Sequence, residues 1–487
     1  MKLPLTYHIS LLLRYGQAVG FCVLLALLGS CGNLYTGEDS IFEPDPEDPG
    51  TQIPDSRTPV MVAFSDPAYN VLTKGVGVID PEDKAHFNER MSRGTYFIYS
   101  FRRDNPDGMN FNIRRAEDTF SRYCLVDGSL DEATPEELQK LNLTEEQLHQ
   151  HGKRASYAGN GSFVNWRSTA DIPYYSNKQE LDPFSFFAYY YDDAKIGPVI
   201  RDNAGIRFDV EVDGSQDLMC AQSIALSDVI DDIENNRPVD PSFYEMAERL
   251  KALDPADLKT MKTYYYNTFT ARFNIWPIIQ MQHQLAYVKL KFYPAFSDSK
   301  DIISIKNVTL NTVNKGVFTV VSYNPQLLGA NFAAYDQRGD LHPLNTEGKP
   351  VEWITPEGNY SYTLRLTEEE LSLPIFSRPS TEGGCFLVPP SNDATITIET
   401  VYYRDGDLSQ PMDFTITTEL KDKVVNKDNI GNFLGYGFMK SREYNIRASV
   451  YGPQEIEINV EPSSWVDGGD IEVDPENNPK SREEDKV

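Results

Sequence analysis

Two runs of strict hydrophobic alternation near the C-terminal end constrain the fold more than any other feature of this chain. They fill residues 442–465, and Gly452-Pro453 separates them. Successive side chains of a strand point to opposite faces of a sheet, so each run predicts a strand with one buried face. The Gly-Pro break predicts a turn, and the stretch is therefore expected to form a terminal hairpin. Its alternating apolar residues are Ile446, Ala448, Val450, Ile456, Ile458 and Val460.

Further strand signals predict a mainly β protein. Candidate strands lie at residues 60–64, 96–101 and 207–212, and from residue 288 onward such signals recur at short intervals. That spacing is typical of a β-sandwich. Residues 307–323 predict a hairpin around Asn314-Lys315-Gly316. The character of the sequence changes near 275–284, where we expect a domain boundary.

Helical patterns interrupt the first half of the chain. Thr134 and Thr144 are predicted N-caps of short helices over 135–141 and 145–152, because acidic residues follow each of them. Residues 227–271 also predict helices, which would form a second insertion or a crossover between domains. His149 and His151 stand at i and i+2, which do not share a helix face, so we expect solvated or helix-end histidines and no metal site.

Residues 184–191 form a dense aromatic run, F-S-F-F-A-Y-Y-Y. Aromatic side chains favour the pleated surface of a sheet, so this run predicts a core strand. An exposed platform on which sugars stack is the functional alternative.

The N-terminal residues have the pattern of an export signal. Lys2 and Arg14 give a positive region, and the apolar stretch over 18–28 is too short to span a bilayer. Leu28-Gly29-Ser30-Cys31 follows, and it resembles the lipobox of bacterial lipoproteins. The resemblance implies cleavage between Ser30 and Cys31 and lipidation of Cys31. Each acyl CH₂ that is buried in the bilayer contributes about 0.8 kcal/mol to membrane binding, so several acyl chains would tether the protein stably. An ordinary secretory signal with an incidental cysteine is the alternative.

Charge and composition exclude some classes of partner. The formal net charge is −28, which argues against nucleic acid, because phosphate backbones require a basic face. Residues 31–59 are rich in proline and acid and are expected to form an extended tether. The tail over 475–487 is expected to be disordered.

No catalytic, cofactor or metal motif has the required spacing, so we expect a protein that is not an enzyme and that carries no cofactor. Asp405-Gly406-Asp407 lacks the remaining ligands of a calcium loop and predicts a turn. His283 beside an apolar strand is interpreted as a hydrogen-bonded structural residue. Cys124, Cys220 and Cys385 are too few and too widely spaced for a disulfide framework. Buried thiols, or one bridged pair, remain the two alternatives.

Five segments of the sequence carry a resemblance to a known family. They are the lipobox with its lead, the aromatic Phe186-Phe187-Ala188-Tyr189-Tyr190, Gln216-Asp217-Leu218-Met219 with Ala221, the strand M-Q-H-Q-L-A-Y-V-K-L-K-F over 281–292, and the terminal pair with Tyr451-Gly452, Trp465 and Gly468-Gly469. Together and in this order they resemble the fimbrillin superfamily, the type V pilins and accessory subunits of Bacteroides-like bacteria. The similarity covers most of residues 60–474.

The resemblance implies two tandem transthyretin-like β-sandwich domains, with short helical insertions in the N-terminal one. We place a signal peptide at 1–30, the tether at 31–59, the two domains at 60–280 and 281–474, and the tail after them. The family implies a surface-exposed outer-membrane location and assembly with other fimbrial subunits, together with adhesion to a host or bacterial surface ligand.

Assembly in that family is by donor-strand exchange. A protease removes an N-terminal strand after an arginine, and a neighbour's C-terminal segment takes its place by β-augmentation. Arg57 and Arg93 are the candidate cleavage sites in this sequence. Within residues 466–474 only Ile471 and Val473 alternate as a donor strand would, which favours an accessory, tip or anchor subunit over a stalk subunit.

Two other functions compete with this interpretation. A surface glycan-binding lipoprotein of an outer-membrane nutrient-uptake system would also use the anchor and the aromatic residues. A secreted hydrolase is the third possibility, but the sequence has no recognisable set of catalytic residues to support it. Defined cleavage by an Arg-specific protease would favour the fimbrial subunit, whereas retention on a polysaccharide gel would favour the glycan binder.

Overall fold

A computed structural model describes residues 58–65, 94–103, 111–112, 123–156, 163–167, 172–175, 180–240, 243–263, 265–345, 348–427 and 432–463. They all lie in one compact unit that begins at Thr58. The fold is mainly β, as predicted, and the α-helices of the described residues all precede residue 273.

The strands fall into two stretches of the chain. Before the last helix they are β1 (Ala63–Ser65), β2 (Tyr96–Arg102), β3 (Cys124–Val126), β4 (Lys153–Ser156), β5 (Asn165–Trp166), β6 (Phe184–Tyr190), β7 (Lys195–Ile196), β8 (Ile200–Asp202), β9 (Gly205–Glu211) and β10 (Met219–Gln222). After it they are β11 (Ile278–Gln280), β12 (Gln282–His283), β13 (Ala286–Pro294), β14 (Ile302–Val313), β15 (Lys315–Val321), β16 (Gly329–Asn331), β17 (Arg338–Leu341), β18 (Tyr362–Leu364), β19 (Thr381–Val388), β20 (Thr395–Tyr403), β21 (Met412–Glu419), β22 (Val425–Lys427), β23 (Phe433–Tyr436), β24 (Glu443–Gly452) and β25 (Glu455–Ser463).

The helices form two groups. They are α1 (Pro135–Leu141), α2 (Glu145–Leu148), α3 (Leu226–Glu234), α4 (Tyr244–Lys251), α5 (Pro255–Thr263) and α6 (Thr268–Arg272). Thr134 and Thr144 cap the first two with complete capping boxes, which confirms both predicted starts. No helix in the described part of the chain is both long and apolar enough to cross a membrane.

A central seven-stranded sheet has the order β12-β10-β6-β2-β4-β5, and β3 also pairs with β2. Every residue of β2 and β6 is buried, which confirms that the aromatic run is a core strand. One face of this sheet packs with β1, β11 and the helices α3–α5 in the first core. The other face packs in the second core against a five-stranded sheet of order β16-β15-β9-β7, to which β8 is added.

Two further sheets enclose the third core. One has the order β19-β13-β24-β25, and the other has the order β17-β14-β20-β21 with β18 on β14. The predicted terminal hairpin is confirmed, because β24 and β25 pair antiparallel from Glu443 and Ser463 to Gly452 and Glu455. Ile446, Ala448 and Val450 face this core, as their alternation predicts.

The predicted hairpin over 307–323 is wrong. Residues on both sides of Asn314 do form strands, but β14 pairs with β17, β18 and β20, whereas β15 pairs with β9 and β16. Asn314 alone separates the two strands, which is too short for a two-residue hairpin loop. The chain instead passes from one sheet to another at this residue.

The same passage joins the two halves of the sequence. β15 pairs antiparallel with β9, so one sheet contains strands from both sides of the expected boundary near residue 280. Gly205, at the start of β9, has a φ of +148°, and a Cβ there would clash with the carbonyl oxygen of Val321. The division into domains at 280 and 281 stays a prediction.

Candidate functional site

Every site residue predicted from the sequence lies outside the described residues. These residues are Ser30, Cys31, Arg57, Arg93, Ile471 and Val473. Their described neighbours are nevertheless informative, because the chain is described from Thr58 to Ser65, again from Gly94, and up to Ser463. Strand exchange is therefore assessed from residues 58–65 and from β25, which lie next to the predicted site residues in the sequence.

We call residues 58–65 the N-terminal segment. Val60, Val62 and Phe64 alternate along it and are 0%, 0% and 1% exposed in the first core. Phe64 packs on Tyr96 of the central sheet with ring centroids 5.0 Å apart. Ala63, on the opposite face, is also buried. The segment is thus an extended stretch, ending in β1, with one face fully buried and the other face buried at Ala63 and half-buried at Met61.

Backbone hydrogen bonds hold the N-terminal segment on two sides. On one side the Val60 amide donates to the Pro173 carbonyl at 2.8 Å, and the Val164 amide donates to the Val62 carbonyl at 2.9 Å. On the other side Ala63, Phe64 and Ser65 pair in parallel with Ile278, Ile279 and Gln280 of β11. The described partners come from several separate pieces of chain, so no single long strand holds the segment.

The C-terminal strand β25 has a different environment. It stands at one end of its sheet and is paired through its length with β24. Of its inward-facing apolar residues only Ile458 is buried, at 4% exposure, while Ile456 and Val460 are half-buried. Met412 and Phe414 of β21, at the end of the facing sheet, are also half-buried against the third core. This end of the sandwich is incompletely covered by the described residues.

His283 confirms the structural interpretation. Its Nδ1 lies 2.8 Å from Asp217 Oδ2, and both side chains are buried between strands. Asp407 accepts hydrogen bonds from the backbone amide and the hydroxyl of Ser409, which is the geometry of a turn. No group of three or more His, Cys, Asp or Glu side chains within the described ranges could hold a metal ion.

The two histidines after α2 differ from each other. His149 caps the helix end, as expected, and its Nε2 lies 2.9 Å from the Asp131 carbonyl oxygen. His151 is buried in the second core, so the expectation of a solvated or helix-end residue is wrong for it. Its Nδ1 lies 2.7 Å from the Tyr189 hydroxyl, and burial lowers its pKa to about 3. The aromatic residues around it, which sequence spacing does not reveal, account for this difference.

Cys124, Cys220 and Cys385 are all buried thiols, the first of the two alternatives that the sequence left open. The Cys124 thiol donates to the Asp127 carboxylate at 3.5 Å. Burial raises the pKa of Cys220 to about 12, so this thiol stays protonated at neutral pH.

Comparisons with known proteins give a consistent set of names at low similarity. No family model matches the chain, and no curated protein matches it. A candidate cell adhesion protein from Bacteroides uniformis is 8% identical, with a TM-score of 0.33 over 85% of this chain and 100% of the other. The fimbrial anchor protein Mfa2 from Porphyromonas gingivalis is 11% identical, with a TM-score of 0.29 over 84% and 98%. The C-terminally truncated tip fimbrial protein Mfa3 of that organism is 9% identical, with a TM-score of 0.25 over 84% and 100%.

The structural neighbours are therefore cell adhesion and fimbrial proteins of Bacteroides and Porphyromonas, the kind of protein whose motifs the sequence resembles. At these identities and TM-scores the likeness carries no argument about the function of this chain. Function has to be argued from the chain's own residues.

Proposed function

We propose that this chain is a non-enzymatic subunit of a surface fimbrium, tethered through a lipid on Cys31, that assembles by strand exchange and contributes to adhesion. One observation carries the proposal. The N-terminal segment is an extended stretch with Val60, Val62 and Phe64 fully buried, and in the sequence it stands between the two candidate cleavage sites, Arg57 and Arg93. A cut at Arg93 would detach the segment from the rest of the chain, whereas a cut at Arg57 would leave it attached.

Release of the segment would uncover a groove that is suited to another strand. Three side-chain positions, those of Val60, Val62 and Phe64, would become empty, and each buried side chain of this kind contributes about 1.5–3 kcal/mol. The Val164 amide and the Pro173 carbonyl would lose their backbone partners. An incoming strand with apolar residues at every second position would restore both kinds of contact.

The candidate donor strand of this chain, residues 466–474, matches such a groove poorly. Residues 466–474 offer only Ile471 and Val473 as alternating apolar residues, while the N-terminal segment fills three positions. We therefore propose a terminal role in the fimbrium. A processed subunit would accept a strand without donating one efficiently, and an unprocessed subunit would keep its lipid and act as an anchor.

Limited digestion of the lipidated protein with an Arg-specific protease tests the proposal. We expect a new N-terminus at Gly94 and the release of a fragment that contains the N-terminal segment. Arg93→Gln should abolish this product, and Arg57→Gln is the matched control that should not.

Strand uptake can then be measured directly. The processed protein should bind a fluorescent peptide with the sequence of residues 58–65, and the same peptide with Val62→Asp should not bind. Failure of the processed, folded protein to bind the first peptide, or equal binding of both peptides, would reject strand exchange at this groove.

A further inference from the structure

A cavity of about 310 Å³, lined by both polar and apolar residues, lies where the end of β10, the β11–β12 stretch and the residues after β15 meet. Its volume is at the lower end of the range for small-ligand sites. Cys220 and Gln222 of β10 contribute to its wall, together with Gln280, Gln282 and Gln284. Phe243 adds an aromatic ring and Lys440 a cation.

The strand register explains why so many amides meet here. In the sequence Q-M-Q-H-Q over 280–284, glutamine alternates with Met281 and His283, which are both buried. Cys220 lies directly opposite Gln282 in the antiparallel pair of β10 and β12. Residues at every second position of a strand share a face, so Cys220 and Gln222 of β10 point the same way, and all three glutamines line the cavity beside them.

Some of these amides are fixed in place and others are free to meet a ligand. Gln284 is buried, donates from Nε2 to the Gln282 carbonyl at 2.8 Å, and accepts from Lys440 Nζ at 3.3 Å. Gln282 is exposed, and Gln222 and Gln280 are half-buried, so these three reach the cavity from a wall that Gln284 and Lys440 hold in place.

The lining also selects the charge of a ligand. The chain has a net charge of −28, yet none of the residues that line the cavity is acidic. Amide side chains both donate and accept hydrogen bonds, and so does each hydroxyl group of a sugar. A cationic ligand would find no carboxylate here, whereas Lys440 can tolerate or bind an acidic substituent.

We infer that this cavity binds a terminal saccharide unit, neutral or carrying a carboxylate, whose hydroxyls bond the glutamine amides beside the Phe243 ring. Such binding would give the adhesive part of the proposed function a defined ligand class and a defined site. The cavity lining contains no residue of the N-terminal segment, although Gln280 pairs with Ser65, so glycan binding and assembly can be tested separately with variants at Gln222 and Gln282.

A glycan array probed with the labelled, full-length mature protein tests the inference. The probes are glycans that end in neutral hexoses or N-acetylhexosamines and glycans that end in sialic or uronic acids. We expect this protein to bind at least one of the two sets of glycans more strongly than an unrelated labelled protein does on the same array. Loss of one neutral hydrogen bond should weaken binding about five- to tenfold in Gln282→Ala and in Gln222→Ala.

Gln410→Ala is the matched control, since Gln410 is exposed and does not line the cavity, and it should bind like wild type. Lys440→Met distinguishes the two sugar classes, because it should weaken binding of acidic sugars more than binding of neutral ones. Gln282 is exposed, so its variant should keep the wild-type melting temperature, and it should bind the residue 58–65 peptide normally after processing.

The inference is overturned if no glycan binds above background, or if both Gln282→Ala and Gln222→Ala bind as wild type does. Loss of peptide uptake with glycan binding retained would instead count against the proposed assembly alone.

Discussion

The N-terminal segment and β25 are both terminal strands of the described chain, yet the structure holds them in opposite ways. The segment has three ladder pairs with β11 and places Val60, Val62 and Phe64 fully inside a core. β25 has a long ladder with β24, with one register shift between Val450 and Gly452, but two of its three inward-facing apolar residues are half-buried. The N-terminal segment is held mainly by the burial of its side chains, whereas β25 is held mainly by backbone pairing with β24.

This difference shows what the removal of each strand would expose. Removing the N-terminal segment would open the first core, so a replacement strand would be bound chiefly through apolar pockets. Removing β25 would expose the edge of β24, where mainly backbone amides and carbonyls would be left without hydrogen-bond partners. The first of these vacancies would select a partner mainly by the identity of three side chains, whereas the second would offer one buried position, that of Ile458.

The largest effect is expected from Phe64→Ala. Phe64 is 1% exposed and packs on Tyr96, so its truncation should lower the free energy of unfolding by about 3–5 kcal/mol. Chemical denaturation measures the change. Phe433→Ala is the control, because Phe433 is 58% exposed and should change stability by less than about 0.5 kcal/mol. Equal effects of the two variants would show that the segment is not part of the core.

Truncation in β25 should cost less and depend on position. Ile458→Ala removes a buried side chain at the edge of the third core and should lower stability by about 2–3 kcal/mol. Ile456→Ala, on the same face but half-buried, should cost about 1 kcal/mol. If the two costs were the same, pairing with β24 rather than burial would set the stability of both positions.

Acid should weaken the N-terminal half through His151. Burial lowers the pKa of His151 to about 3, whereas the unfolded chain has the ordinary value near 6.5. Below pH 6.5 the unfolded state therefore binds the extra proton, and stability falls by up to about 1.4 kcal/mol per pH unit, or about 2 kcal/mol at pH 5. His151→Asn should be less stable at pH 7 and should lack this dependence.

Hydrogen exchange can locate the acid effect. Amides of the central sheet and the N-terminal segment should lose protection between pH 6.5 and 5 before those of β25 do, after correction for the intrinsic exchange rate. Simultaneous loss in β25 would mean that the two halves unfold as one unit.

The smallest effect is expected for the ion pair across the terminal hairpin. Arg447 Nη2 lies 3.0 Å from Glu461 Oε2, but the two side chains are 35% and 54% exposed. Glu461→Gln should change stability by less than about 1 kcal/mol, and salt should reduce the difference further. A stability loss of more than about 1 kcal/mol, measured by thermal or denaturant unfolding, would show that the hairpin depends on this charge pair as well as on its backbone pairing.

Local patterns in the sequence predict the elements well where one periodicity is unambiguous. The alternation around Ile446 and Ile458 predicts the hairpin, and Thr134 predicts a helix start, because short-range geometry determines both. The partners of a strand are set by long-range packing, so nothing local to Asn314 shows that the flanking strands join different sheets. The buried state of His151 depends in the same way on Tyr189 and Phe208, which are distant in sequence.

The candidate sites show a similar division. The sequence alone suggests Arg57 and Arg93, on either side of the N-terminal segment, as candidate cleavage sites. The complete burial of Val62 is visible only in the structure. The alternating glutamines at 280, 282 and 284 are visible in the sequence, yet their pattern does not indicate a site. Polar alternation alone is more typical of a solvated strand face, and only the residues after β15 turn that face into a cavity wall.

The pairing of β9 with β15 has a consequence for the order in which this protein can fold. The second core contains residues from Phe97 to Leu387, so the aromatic face of the central sheet cannot be covered until much of the second half has been synthesised. Contacts of such long sequence separation slow folding and prolong the exposure of apolar surface. A chain that stops before Lys315 would keep that face open, and holding the nascent protein soluble until β15 is available becomes a requirement for its production.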